Sequence, residues 1–320
     1  MKLSKFILMW SLSMSIMIAL SSSSFFFTWM ALEINMMSFI PLMNSKTAIS
    51  TNSMLLYLII QSTASSLFLL SITILNLNSN FNFIKMSFIM TCSLLIKVGA
   101  APFHYWFPLI SEGMSYSSLF VLSTIQKIIP LYILSMNSNY LILISIILSS
   151  LIGSTGGFNQ TSFRKILAFS SITHIAWMLT LIFLNSNLWM VYLAIYTVIL
   201  LTIMHILYTN SINWTNQISM IKKEATFSLL ISFLSLGGMP PLIGFSMKWL
   251  TLKIIMLYTA LLSIPLILSS LINLFFYTRA IYPFLLKNFP SNKWNFSYTY
   301  DTAPLLMTQI FPIFILIPFL

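Results

Sequence analysis

Charge is scarce in this sequence: 6% of its 320 residues are charged, while 58% are hydrophobic. A soluble domain has about 25% charged residues, so this chain cannot cover a water-facing surface. The long apolar runs lack the alternation of barrel strands, and glycine is sparse, which excludes a transmembrane β-barrel. We therefore predict an all-α polytopic membrane protein, because lipid forces every backbone group to bond internally.

Several kinds of functional site are also missing. The single cysteine, Cys92, excludes an internal disulfide framework. The three histidines, His104, His174 and His205, have no cysteine or carboxylate at ligand spacing, so no metal site is predicted. No GxGxxG, P-loop or Ser-His-Asp pattern is present, and an intramembrane enzyme is the least favoured function. The net charge of +11 is spread along the chain without a dense patch, which gives no reason to expect nucleic acid.

Apolar runs predict the number of membrane spans, since one spanning helix needs about 20 apolar residues. We predict eleven, at about 4–21, 24–43, 53–76, 82–112, 117–136, 139–157, 163–184, 187–209, 225–256, 258–281 and 303–319. The first resembles a signal peptide but lacks a clear cleavage site, and we expect it to stay uncleaved. Segments 82–112 and 225–256 are too long for one straight span. Their glycines and prolines predict either packing kinks or functional breaks, and a lysine within about two turns of each favours the second. Breaks survive at membrane depth only inside protein or beside a wet cavity.

The basic residues predict the orientation. With the N-terminus inside, only Lys85 and Lys253 fall on the outer side, and the C-terminus emerges there too. The inner side then receives Lys2, Lys5, Lys46, Arg164, Lys165, Lys222, Lys223, Arg279, Lys287 and Lys293. The remaining acids, Glu112, Glu224 and Asp301, also fall on the inner side. This asymmetry follows the positive-inside rule.

Four charged residues lie near the middle of predicted spans, away from the span ends: Glu33, Lys97, Lys127 and Lys248. A charge at mid-bilayer costs roughly 2.5–3.5 kcal/mol on insertion scales, so intramembrane charges usually mark ion pathways. One acid and three lysines at similar depth suggest a lateral hydrated row that passes protons along. Ion translocation is therefore the leading prediction from the residues alone.

Each candidate has alternatives. Glu33 could hold a proton, pair with Lys97, or only hydrogen-bond in helix packing. Lys127 lies too deep to reach the membrane surface comfortably, whereas Lys248 could extend outward from its helix. His104, His174 and His205 suit either a proton relay or helix packing.

Five motifs resemble a known family. They are 31–35 (ALEIN), 97–106 (KVGAAPFHYW), 156–161 (GGFNQT), 164–174 (RKILAFSSITH) and 236–245 (LGGMPPLIGF). In this order they are similar to the subunit 2 family of mitochondrial NADH:ubiquinone oxidoreductase (complex I), whose members are antiporter-like membrane subunits. The resemblance runs from about residue 28 to residue 250. It implies one membrane domain, 1–320, with inverted five-helix repeats at about 3–136 and 139–282 and a final helix at about 303–319. It also implies the animal form, which lacks the first three of fourteen spans.

The resemblance also implies roles. Glu33 and Lys97 would form the ion pair of the first half-channel, Lys127 the central relay, and Lys248 the lysine of the second half. No cofactor would be bound by this chain, because NADH, FMN, iron–sulfur clusters and ubiquinone belong elsewhere in the complex. The partners would be lipids and other complex I membrane subunits, including neighbouring antiporter-like ones. The location would be the mitochondrial inner membrane, with the N-terminus in the matrix and the C-terminus in the intermembrane space.

Two other functions remain open. One is a stand-alone cation/proton antiporter subunit of the same fold, which would purify without redox partners. The other is a non-pumping scaffold whose charges pair across subunit interfaces. For a scaffold, Glu33→Ala would reduce assembly but spare pumping per complex.

Overall fold

The computed structural model describes residues 2–45, 47–77, 83–137, 139–220 and 223–286. Its helices are α1 (Lys2–Ser21), α2 (Phe25–Met43), α3 (Ala48–Leu77), α4 (Phe83–Val98), α5 (Trp106–Gly113), α6 (Tyr116–Ser123), α7 (Ile125–Met136), α8 (Tyr140–Gly157), α9 (Phe163–Phe183), α10 (Leu188–Thr209), α11 (Lys223–Gly237), α12 (Ile243–Tyr258) and α13 (Ser263–Leu286). Within these ranges the only extended pairing is one isolated bridge between Ser162 and Trp214. The all-helical prediction is confirmed.

Seven helical stretches among the described residues are long and apolar enough to cross a membrane. They are Phe25–Met43, Ala48–Leu75, Tyr116–Met136, Tyr140–Gly157, Phe163–Phe183, Leu188–Thr209 and Ala260–Pro283. Three shorter apolar helices, Lys5–Ser21, Met86–Val98 and Ala225–Gly237, fall in the first, fourth and ninth predicted segments. The predicted span at 303–319 lies outside the described residues. A polytopic membrane protein is thus supported, and the count of eleven stays a prediction.

The two long predicted segments are interrupted near their glycines. Helix α4 ends one residue before Gly99, whose φ is 77°, and α11 ends one residue before Gly238, whose φ is 84°. Only glycine adopts this left-handed conformation without steric cost. In both places two consecutive N–H groups bond back to one carbonyl. Gly99 and Ala100 donate to Leu95 at 3.0 and 3.1 Å. The N–H groups at 238 and 239 donate to the carbonyl at 234 at the same two distances.

A third interruption separates α6 from α7 and is absent from the sequence-based prediction. It lies at Thr124, with φ −121° and ψ −75°. The Thr124 hydroxyl donates to the Phe120 carbonyl at 2.6 Å, and such a bond competes with the regular helical ladder. The irregular turn lies three residues before Lys127, so a backbone irregularity also accompanies the central lysine.

Helix α9 lies at the centre of the bundle, where 89% of its spanning window is buried. It packs against α5, α7, α8, α10, α12 and α13. The helices at the edge instead expose large apolar side chains, such as Phe6 on α1 and Leu271 on α13. This distribution suits a bundle surrounded by lipid, since its outside need not be polar.

Polar anchors join helix termini at one end of the bundle. Lys165 forms an ion pair of 2.6 Å with Glu112, and Arg164 donates to the Glu112 carbonyl at 3.1 Å. Arg279 donates to the Gln160 carbonyl at 2.9 Å. The end of α5, the start of α9 and the last turns of α13 therefore lie together. The motifs at 156–161 and 164–174 supply most of these anchors.

Candidate functional site

Lys97 and Glu33 form the first part of the buried row of charges. Lys97 lies in the last turn of α4 and is 7% exposed, while Glu33 lies half-buried in the middle of α2. The Lys97 ammonium interacts electrostatically with the Glu33 carboxylate, although these two described residues form no direct ion pair. Neutral donors satisfy the nearby carbonyls: the Trp106 indole donates to Ile96 at 3.1 Å, and Gln61 donates to Lys97 at 3.4 Å. The Lys97 ammonium is therefore not needed as a hydrogen-bond donor to these two carbonyls at the end of α4.

Lys127 is the most enclosed lysine, with 2% of its side chain exposed. Its ammonium lies 3.5 Å from the Ser171 carbonyl. It also lies 5.3 Å from the centre of the Phe107 ring and 5.7 Å from the centre of the Tyr196 ring. Aromatic faces stabilise a cation without a counter-charge. The surroundings of Lys127 can therefore hold a proton without fixing it in a permanent ion pair.

A small polar cavity connects these two lysines. It has a volume of about 10 Å³, close to that of a single water site, and both Lys97 and Lys127 line it. Gln126 also lines the cavity; its amide donates to Asn35 at 2.8 Å and accepts from the Tyr57 hydroxyl at 3.4 Å. Asn35 lies two residues after Glu33 on α2, so hydrogen bonds link the Glu33 helix to the Lys127 helix.

His174 lies near the central lysine, because the Tyr196 ring that faces the Lys127 ammonium also packs against the His174 ring. It is 1% exposed on α9 and interacts electrostatically with the ammonium groups of both Lys127 and Lys248. Its Nδ1 is 2.8 Å from the Tyr192 hydroxyl, and its ring centre is 4.7 Å from that of Tyr196. Its Nε2 has no hydrogen-bond partner within the described ranges. The two nitrogens can thus differ in protonation, which a proton carrier requires.

Lys248 completes the row and does not extend outward. It is 5% exposed, and its ammonium donates to the carbonyls of Leu236 at 3.0 Å and Gly237 at 2.7 Å. These carbonyls belong to the last turn of α11, where the helix dipole favours a cation. The sequence-based alternative, a lysine reaching the membrane surface, is not what the structure shows.

Comparison with known proteins identifies the family. A model of the NADH:quinone oxidoreductase/Mrp antiporter membrane family matches residues 22–273. NADH-ubiquinone oxidoreductase chain 2 of Anopheles gambiae is 38% identical over 97% of this chain and 94% of its own length. The chain belongs to the chain 2 family. The chain 2 protein of Rhipicephalus sanguineus is 40% identical over 91% of this chain and 92% of its own length.

A solved structure shares the fold of this chain 2 family member. It is a chain of respiratory complex I from Thermus thermophilus, with a TM-score of 0.79 and 17% sequence identity. The alignment covers 89% of the present chain and 71% of the bacterial one. Helical architecture is therefore retained at low sequence identity.

Two of the predicted histidines lie away from the row in this chain 2 family member. His104 is half-buried in the first break, with Nδ1 3.3 Å from the Pro102 carbonyl. It lines a separate cavity of about 180 Å³ together with Lys165. His205 is exposed on α10 and lines another cavity with Lys5. Neither histidine is brought next to the buried lysines, so the weaker relay assignments gain no support.

Several residues of the site have no counterpart among the sequence candidates. Gln126, Asn35 and Tyr57 surround the first cavity, and the buried tyrosines Tyr192 and Tyr196 contact His174. Polar side chains inside apolar spans are the signal that could have found them. In the described part of the chain, no three His, Cys, Asp or Glu residues lie together in a way that could hold a metal ion. The expectation that no cofactor is bound stays a prediction.

Proposed function

We propose that this chain is a core membrane-arm subunit of respiratory NADH:ubiquinone oxidoreductase in the mitochondrial inner membrane. In that role it takes part in proton translocation coupled to electron transfer from NADH to ubiquinone, and is thereby a subunit of a translocating enzyme. Membership of the chain 2 family supports this function, as do the spans and the buried charges. Its partners are other membrane subunits of the complex, including antiporter-like ones, together with lipids.

The position of His174, which shares the Tyr196 ring as a neighbour with the Lys127 ammonium, is the observation that carries the proposed proton route. Without it, Lys127 and Lys248 would be two separate buried cations. With it, the row reads Glu33, Lys97, Lys127, His174 and Lys248, with a water-sized cavity between the first two lysines. A proton can move along such a row in short steps between neighbouring groups and water.

The first switch in the row lies between Glu33 and Lys97. The Glu33 carboxylate stabilises the charged form of Lys97, while two charged lysines facing one cavity repel each other. When Glu33 moves away from Lys97, the repulsion between the Lys97 and Lys127 ammonium groups is no longer offset by the carboxylate. One of the two lysines then releases its proton. Protonation of Lys127 is in this way coupled to separation of Glu33 from Lys97.

The second switch lies at His174. A proton leaving Lys127 can be accepted by one ring nitrogen of His174 while the other is held by the Tyr192 hydroxyl. Because His174 also feels the charge of Lys248, it cannot be charged at the same time as both lysines without a large electrostatic cost. The charge of Lys127 and the charge of Lys248 are therefore both sensed at His174.

Proton pumping by assembled complex carrying Lys127→Ala tests the proposal. We expect coupled pumping to fall by roughly 100-fold, the lower range for loss of a proton-transfer group. Lys253→Ala is the matched control, since Lys253 is an exposed lysine on α12. Unaltered pumping in Lys127→Ala complex would remove Lys127 from the route.

We extend the proposal to the arrangement of the whole chain: eleven spans, two inverted repeats at about 3–136 and 139–282, and a final helix at about 303–319. The N-terminus lies in the matrix and the C-terminus in the intermembrane space. The two breaks support the repeats, since each has a glycine of positive φ and the same pair of hydrogen bonds. Accessibility of an introduced cysteine near residue 2 to a membrane-impermeant reagent, in mitoplasts and in inverted vesicles, tests the orientation.

A stand-alone cation/proton antiporter subunit is the second candidate, since the matching family model spans quinone oxidoreductases and Mrp antiporters. The proteins that purify with the chain in mild detergent distinguish the two functions. Redox subunits are expected in the first case and are absent in the second. No cofactor is proposed for the chain itself in either case.

A further inference from the structure

A cavity of about 430 Å³ is lined by none of the residues in the row of charges. Its volume falls within the usual range for ligand pockets, about 300–1,000 Å³. It lies between α1, α2, α6 and α10, at the end of the bundle where α1 and α6 begin and α2 and α10 end. The cavity therefore opens near one membrane surface and extends toward the membrane interior.

The lining is divided into a basic, hydroxyl-rich part and an apolar part. Lys5 and His205 contribute the basic groups, Tyr208 and Ser117 contribute exposed hydroxyls, and none of the described residues that line the cavity carries a carboxylate. The remaining wall is mainly aliphatic and aromatic, including Leu201. This combination complements a molecule with an anionic head and a hydrocarbon tail.

Helical periodicity explains why these groups face the same space. On α1, Lys5 and Met9 are four residues apart and thus lie on one face. On α10, Leu201, His205 and Tyr208 are spaced four and then three residues apart, which forms a second continuous face. The basic residue of each helix lies toward the terminus near the membrane surface, and the apolar residue lies deeper.

We infer that this cavity is a binding site for an anionic phospholipid. The phosphate lies beside Lys5, with His205 and Tyr208 as additional polar contacts, and one acyl chain lies between α1, α6 and α10. Basic pockets between transmembrane helices near a membrane surface are general sites for anionic headgroups. The inference is independent of the proton route, because none of the lining residues belongs to the row of charges.

Lipid binding to the assembled complex tests this inference. The complex is exchanged into nanodiscs of phosphatidylcholine with cardiolipin as the anionic probe, then washed and examined for retained lipid by native mass spectrometry. Lys5→Gln is expected to reduce retained cardiolipin at the site about fivefold, the effect of removing one surface-adjacent lysine charge. Lys253→Gln, at an exposed lysine outside the cavity, is expected to leave retention unchanged.

A second variant tests the position of the acyl chain. Leu201→Trp fills the apolar part of the cavity and is expected to exclude the lipid, whereas Met190→Trp changes an exposed residue of the same helix that does not line the cavity. A high-resolution density map of the unmodified complex gives an answer that needs no variant. A protein helix in the cavity would overturn the inference. So would equal retention of phosphatidylcholine and cardiolipin in all variants.

Discussion

The two broken helices have the same backbone geometry but use their lysines differently. At the first break, Lys97 precedes the glycine, and neutral side chains satisfy the carbonyls at the end of α4. At the second break, Lys248 follows the glycine, and its ammonium donates to the carbonyls at the end of α11. Lys97 can therefore change partners without opening its helix, whereas the charge of Lys248 is tied to the helix end.

The breaks also differ in how their two arms are held together. In the first, the Trp106 indole fills the gap, and a Cβ added to Gly99 would lie 3.2 Å from that ring. In the second, α12 packs directly onto the backbone of α11 through Gly244, where an added Cβ would overlap the Ser235 carbonyl. A ring can shift by a few tenths of an ångström more easily than a helix backbone, so the second break is the less adaptable one.

The largest expected effect follows from this backbone contact. Gly244→Ala should prevent α12 from packing against α11, because the new methyl group can be accommodated only if one of the two helices moves. The cost should exceed the about 1–3 kcal/mol of ordinary overpacking. Native gel electrophoresis of the complex should show little assembled subunit.

The control for Gly244→Ala is Gly237→Ala, in the same broken segment. A Cβ at Gly237 would lie 3.5 Å from the Leu274 side chain, which is an ordinary contact. Normal assembly is expected for this variant. If both variants assembled equally well, the close packing of α11 and α12 would not be what holds the second break.

A smaller effect on stability is expected for Lys248→Met. Methionine retains most of the apolar length but leaves the Leu236 and Gly237 carbonyls without their donor, which costs about 1–3 kcal/mol for each buried acceptor. Both thermal stability and pumping should fall. The measurements are the unfolding temperature of the purified complex and its proton pumping per NADH oxidised.

Lys97→Met should reduce proton pumping with little change in the stability of the complex. The neighbouring carbonyls keep their neutral donors, so the unfolding temperature should change less than for Lys248→Met. Pumping should nevertheless fall by roughly 100-fold, as for loss of a proton-transfer group. An equal drop in unfolding temperature for the two lysine variants would remove the distinction between the two breaks.

The sequence predicted the parts of this arrangement that depend on local composition. Length and hydropathy predicted the described spans, and the Gly and Pro residues near Lys97 and Lys248 predicted both breaks, because glycine and proline act on their own backbone. The irregular turn at Thr124 was missed, since threonine is common in regular helices and its hydroxyl bond to Phe120 is of a kind that the regular helix α8 also contains at Thr155.

Contacts between distant helices could not be predicted from one sequence. Nothing local places His174 near both Lys127 and Lys248, or directs the Lys248 ammonium to a helix end ten or more residues earlier. Gln126 was overlooked for the same reason. Its role depends on Asn35 and Tyr57, which are 91 and 69 residues away along the chain.

The smallest effect is expected for Gln126→Leu, which changes the cavity that Lys97 and Lys127 share beside the first break. Loss of the bonds to Asn35 and Tyr57 should cost about 1–2 kcal/mol, since a typical hydrogen bond contributes about 0.5–1.5 kcal/mol net. The cavity shared by Lys97 and Lys127 would also become less polar, so pumping should slow while the subunit still assembles.

Asn35→Leu/Gln126→Leu double-variant complex distinguishes a local packing role from a functional one. If the bond between the two amides only supports packing, the double variant should recover stability and pumping together relative to Gln126→Leu, because neither amide is left unpaired and the Tyr57 hydroxyl lacks its acceptor in both variants. If the polar cavity is part of the proton route, stability should recover while pumping stays low. The second result is the one expected here, because proton transfer between Lys97 and Lys127 needs polar groups or water along the way, which two leucines cannot provide.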